Sequence, residues 1–231
     1  MPATQNTIKN GLFVLIFSLL FSANTYAAAN PSIESPDEML HKATTKMLRS
    51  INENRSEIKK SPEKLKALVE EIILPHLDFI AASKAVMGKY WRRAEKAQKI
   101  KFIRQFRLLL LRFYSSALAE YLNGNDKKLN EDLIHYFPIN LKEGETSITV
   151  RAEIQSDAGK AIPMRYRLHL TKKGWKIYDV SVEGISMITT YKNNFATQFK
   201  TEGIDALIAS LKEKNAQMLA DNGKKNHAKQ N

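Results

Sequence analysis

Five histidines, at positions 41, 76, 135, 169 and 227, are scattered through the chain. None forms the His-x-x-x-His pair or His-Glu-x-x-His helix that would bring two imidazoles onto one metal ion. Cysteine is absent, which removes thiolate nucleophiles, thiolate ligands and disulfides together. There is no glycine-rich phosphate loop, and Gly184-Ile185-Ser186-Met187-Ile188 lacks the second glycine of a nucleophile elbow. Asp179 and Glu183 are four residues apart in a segment of strand character, so both should point to one side, as a solvated rim. His169 alternates with Leu168 and Leu170 and should also face solvent. These residue types assemble no hydrolytic or metal centre, and the expectation is a protein that is not an enzyme.

The aromatic side chains are more informative. Tyr90, Trp91, Phe102, Phe106, Phe113, Tyr166, Trp175, Tyr178, Phe195 and Phe199 all fall where an interior is expected. They suit either an ordinary core or the wall of an apolar binding pocket, and spacing does not separate the two.

The elements that position them begin after an address label. Lys9 supplies a positive start, Gly11 to Ser22 is an apolar run, and Ala27, Ala28 and Ala29 offer small residues for cleavage. The run is shorter than the roughly 20 residues that cross a bilayer, so residues 1–27 read as a secretory signal peptide. No cysteine follows it for a lipid anchor. Removing 27 of the 231 residues leaves 204, enough for a packed core. Lys9 is the only charge in the leader, so the formal net charge of +12 becomes +11. So basic a body suits anionic lipid or acidic proteins; nucleic acid is not expected outside the cell interior.

Helical spacing runs from Ser35-Pro36-Asp37-Glu38 through Ile51, then from Ser61-Pro62-Glu63 to Ile73, where Pro75 stops it. Asp78 should cap a helix that ends near Gly88, and Lys96 to Asn123 makes the longest one. The period then changes to two. Ile148 to Ile154, Met164 to Leu170 and Trp175 to Val182 are strands joined by turns at Asp157-Ala158-Gly159 and Lys173-Gly174, with a further strand within Leu133 to Leu141. Within the third, Trp175 and Ile177 alternate in one phase and Tyr178, Val180 and Val182 in the other, so the strand either bulges near Tyr178 or is apolar on both faces. Helical spacing returns at Ile188, Tyr191, Phe195 and Phe199, and again at Ile204 to Leu211. The fold class is α+β, with N-terminal helices packed over one face of a curved antiparallel sheet. Residues 30–213 form the domain, and 214–231 read as a polar, disordered tail.

Gly174-Trp175-Lys176-Ile177-Tyr178-Asp179-Val180, then Val182-Glu183-Gly184-Ile185-Ser186, Tyr191 and Phe195, resemble the MlaC or toluene-tolerance family of periplasmic phospholipid-binding proteins. Met87-Gly88-Lys89-Tyr90-Trp91-Arg92 and Gly203-Ile204-Asp205-Ala206-Leu207-Ile208 extend the likeness over about residues 36 to 213. The resemblance implies a periplasmic monomer whose helices and curved sheet enclose a deep apolar pocket. It implies phospholipid as cargo, no cofactor or metal, and lipid transfer that maintains outer-membrane asymmetry. Its partners would be an outer-membrane lipoprotein–porin complex and an inner-membrane ABC transporter with a periplasmic lipid-binding ring. The family does not fix pocket contacts, so these come from alternation: Ile148, Val150, Ala152, Tyr166, Leu168, Val180 and Val182 from the sheet, and Met87, Trp91, Phe106, Leu109 and Phe113 from the helices. The alternatives are an adaptor with a solid core and a small-ligand enzyme on a cone-shaped α+β fold.

Overall fold

The computed structural model describes residues 33–125, 127–155 and 161–228. The leader expected over 1–27 and the turn expected at Asp157-Ala158-Gly159 lie outside them. Helix α1 (Pro36–Glu53) starts with proline and two acids in its first turn, although Ser35 at the cap makes no side-chain bond. It ends at Asn54, whose amide and side chain both donate to the Ser50 carbonyl. The polar stretch that follows stays with the body as α2 (Arg55–Lys60), because Ile58 turns inward. Helix α3 (Pro62–Leu68) widens into a π-helical turn over Val69–Ile73 and tightens into a 3-10 turn over Leu74–His76.

Asp78 then caps α4 (Phe79–Met87), its Oδ1 accepting from the Ala81 amide at 2.8 Å. Gly88, at φ 52°, ends α4 and leads into the short α5 (Lys89–Arg93). The long α6 (Lys96–Gly124) opens on a reciprocal capping box between Glu95 and Gln98.

Five strands follow the order of the sequence, β1 (Ile134–Tyr136), β2 (Ser147–Gln155), β3 (Ala161–Thr171), β4 (Gly174–Val182) and β5 (Ile185–Ser186). Every neighbouring pair is antiparallel. The phase conflict in β4 is a bulge. Leu168 pairs with Ile177 and Arg167 with Asp179, leaving Tyr178 without a partner in the register. The extra residue lets Trp175 and Ile177 share a face with Leu168 on one side of the bulge, while Val180 opposes Tyr166 on the other. Tyr178 lies on the polar face, under the Arg167 guanidinium and beside His169.

Both outer strands are partnered. The Phe137 amide donates to Arg151 and that of Gln155 to Leu133, which extends the cover β1 gives to β2. At the opposite margin, Leu77 bridges to Ile177, the Asp78 amide donates to the Ile177 carbonyl, and Lys176 Nζ reaches the Pro75 carbonyl at 2.6 Å.

The apolar interior divides into three clusters. One joins α1 to the sheet through Met39, Leu40, Val150, Leu168 and Trp175. A second joins α4 and α6 to α7 (Met187–Thr201) and α8 (Gly203–Ala228), around Phe102, Phe106 and Phe199. The third gathers Ile51, Ile58, Leu65, Ile72, Ala119 and Leu122 between the first three helices and the end of α6. One expectation fails here. The tail from 214 is not disordered over its described length, because α8 continues to Ala228. Asn215 is buried against α6, donating to the Gln105 carbonyl and Oε1 at 3.0 Å each, while Arg112 donates to the Asn215 carbonyl. The Asn215 amide nitrogen is thus satisfied inside the body, and the packed face extends beyond Leu211.

Candidate functional site

The apolar face of the sheet is built by alternation, as period two requires. Val150, Ala152, Tyr166 and Leu168 are buried in the cluster under α1, with Ile148 and Val180 part-buried at its margin. Met87, Phe106 and Leu109 are buried in the cluster around α6, α7 and α8, with Trp91 packed against it. The two groups belong to different clusters.

Two expected inward residues face out. Phe113 is 49% exposed and Val182 is 41% exposed. Along α6 the buried positions run 102, 106 and 109, then shift through 110 and 111 to 115, 119 and 122. The helix changes partners there, from the α4–α7–α8 group to the α2–α3 group, so Phe113 remains on the abandoned face. Val182 is the last residue of β4, set between Met164 of β3 and exposed Ile185 of the two-residue β5.

Part-buried apolar side chains pack against each cluster. Val69, Ile73 and Leu118 border the third cluster, Met164 and Val180 the sheet cluster, and Met187 and Tyr191 the α6–α8 cluster. Burial, followed by the neighbouring Tyr114, pushes Tyr191 of α7 up to about 12, and burial raises Tyr114 of α6. Burial likewise raises Tyr136 and, more strongly, Tyr166. All four phenols stay protonated at neutral pH. They can donate hydrogen bonds there, and none is poised as a base.

Asp179 and His169 do not form the solvated face expected of them. Asp179 is 0% exposed. Its Oδ1 accepts from the Ile188 amide at 3.0 Å and its Oδ2 from Ser186 Oγ at 2.7 Å. Arg167 lies 3.7 Å away on the same face. Ser186 is itself the cap of α7, accepting from the Thr189 amide at 3.1 Å. The carboxylate therefore sits at the positive end of α7 and fastens it to β4. His169 Nε2 pairs with Asp78 Oδ2 at 2.9 Å, tying the α4 cap to β3. The signal for Asp179 is in the chain, an acid just upstream of a strand-to-helix turn with a serine cap, but burial has to be seen before it reads as a clamp.

Two clefts flank these elements. One, of about 510 Å³, lies between α1 and β1 and is lined by Asp37, Glu38, His41, Asp132, His135 and Tyr136 with Ile134. The other, of about 640 Å³, lies between α6 and α8 beside Lys101, Arg104 and Lys212. Among the described residues no group of three histidines or acids could hold a metal, and no helix is long and apolar enough to cross a membrane.

The family described as MlaC protein matches residues 41–213 of the chain. The Haemophilus influenzae protein named intermembrane phospholipid transport system binding protein MlaC is 26% identical over 225 residues, covering 94% of this chain and 100% of that one. Toluene tolerance protein ttg2D of Pseudomonas putida is 27% identical over 199 residues, or 86% of this chain and 85% of that protein. A solved phospholipid-binding protein from Ralstonia solanacearum, in complex with a phospholipid, is 28% identical with a TM-score of 0.69, covering 80% of this chain and 99% of that one.

Proposed function

The chain belongs to the MlaC protein family, and on that premise we propose that it carries phospholipid across the periplasm between outer-membrane and inner-membrane transport complexes, sustaining outer-membrane lipid asymmetry. The leader over residues 1–27 exports it, and the body works as a monomer without catalysis or cofactor. Its partners are the outer-membrane lipoprotein–porin complex and the inner-membrane ABC transporter with its periplasmic ring. The strongly basic body suits acidic surfaces on those partners.

The observation that supports this best is the set of part-buried apolar side chains packed against the sheet and helix clusters. Lifting a tail of ~16 carbons from a bilayer forfeits about 0.8 kcal/mol per CH₂, on the order of 12 kcal/mol. A carrier must return most of that through apolar contact. Part-buried side chains such as Val180, Leu118, Ile148 and Met187 can do so without first vacating a filled core. Phospholipid named with the Haemophilus and Ralstonia relatives supports the same cargo. The fully buried members, Val150 and Leu168, act as backing beneath that surface.

Their complete burial also favours a second reading, an adaptor with a solid core. Native mass spectrometry of the protein purified from bacteria, followed by lipid extraction, separates the two. Phospholipid-shifted masses are expected; a lipid-free mass from protein that also fails to take up added phospholipid would favour the adaptor.

A further inference from the structure

Tyr166 brings a hydroxyl into the apolar sheet cluster and is itself 9% exposed. It stands at the inner end of a line of hydroxyls. Thr44 Oγ1 of α1 and Tyr136 Oη of β1 are 2.6 Å apart. The rings of Tyr136 and Tyr166 follow at 6.0 Å between centroids. Thr44 and Tyr136 satisfy one another, which leaves the Tyr166 hydroxyl to find its own acceptor. Its partner is Met164 Sδ, at 3.7 Å. A thioether is a weak acceptor, and a buried hydroxyl served by one is under-satisfied. Burial keeps the phenol in its O–H form.

The outer end of the line is wet. Tyr136 also borders the cleft between α1 and β1, whose other walls carry Asp37, Glu38 and His41. The line thus runs from a charged cleft to the apolar face of the sheet. A phospholipid presents the same sequence of chemistry, from headgroup through ester carbonyls to tails.

We propose that the Tyr166 hydroxyl donates to an ester carbonyl of the acyl cargo, so that the site distinguishes acyl esters from plain alkyl chains. This rests on the carrier reading above. The ester oxygen offers the acceptor that Met164 supplies poorly, at the boundary where tail gives way to headgroup.

The test uses the full protein stripped of lipid and offered equal amounts of diacyl phosphatidylcholine and its dialkyl ether analogue, with the same chains and headgroup. Bound lipid is quantified by mass spectrometry. One donated hydrogen bond should favour the ester by about five- to tenfold. Tyr166→Phe should bring the ester-to-ether ratio close to one. Infrared spectra of a carbon-13-labelled ester should show a hydrogen-bonded carbonyl in the wild type and its loss in the variant. Equal binding of the two lipids by the wild type, or an unchanged ratio in Tyr166→Phe, would overturn ester recognition alone. If the wild type bound neither lipid, the carrier reading would fall as well. Should the variant not fold, the wild-type ratio and its infrared spectrum still decide.

Discussion

Asp179 and Ser186, seven residues apart across a tight turn, are joined by a hydrogen bond of 2.7 Å from the serine hydroxyl to the buried carboxylate. The turn between them needs left-handed backbone at Glu183 (φ 51°) and Gly184 (φ 83°). Glycine takes that conformation freely and glutamate does not. The Asp179–Ser186 pair holds the strand-to-helix junction in place, and the Glu-Gly-Ile-Ser unit is the chain's means of building it.

Asp179→Ala should therefore destabilise the protein by about 2–4 kcal/mol, since it leaves the buried Ile188 amide and the Ser186 hydroxyl without their acceptor. Asp179→Asn keeps an acceptor oxygen and should cost visibly less. Urea midpoints read both; a shift equivalent to under ~0.5 kcal/mol, the usual range of surface substitutions, would show that the clamp is dispensable.

Tyr191 predicts behaviour in alkali. Its folded value is raised from 10.0 to about 12, so the folded state keeps the phenolic proton longer than the unfolded chain does. That stabilisation is complete below pH 10 and is lost as pH climbs through about 12. Tyr191→Phe should flatten part of the alkaline fall in stability. Absorbance titration should show one fewer late-ionising phenol, and an unchanged late phase would refute the assignment.

Val180 is part-buried at the margin of the sheet cluster, so a larger side chain there can spread over that margin without displacing the buried backing. Val180→Trp should lower co-purifying phospholipid severalfold with a near wild-type melting temperature. Normal lipid content in a folded variant would remove Val180 from the cargo surface.

Truncation after Glu213 tests the length of α8. It removes Asn215 and the part-buried Met218 from the packing against α6. A loss of about 1–3 kcal/mol is expected, or roughly 2–4 °C of melting temperature per kcal/mol for a chain of this size. A melt identical to that of the full chain would mean that the last turns contribute nothing to stability.

Much of this architecture was legible because period two and period 3.6 are local. The bulge was visible as a contradiction between Trp175–Ile177 and Val180–Val182, but Tyr178 as its site depends on which β3 residue stands opposite. Phe113 was misread because a helical stripe records spacing and not partners; α6 turns a different face inward after Leu109. Asp179, read as a solvated rim, and Asn215, read as part of a frayed tail, were missed for a shared reason. Composition treats a carboxylate or an amide as a surface group, whereas burial becomes tolerable once backbone donors or acceptors meet it.

The two covered margins of the sheet have a bearing on solubility. A nine-residue strand such as β2 or β4, left open along its side, is a template on which a second molecule can lay its own strand. Here β1 and its flanking amides cover the Arg151–Gln155 half of β2, and β5 with the Pro75–Asp78 segment covers stretches at both ends of β4. The chain can therefore leave Phe113 and Ile185 at its surface without also offering a long backbone edge for other molecules to polymerise on.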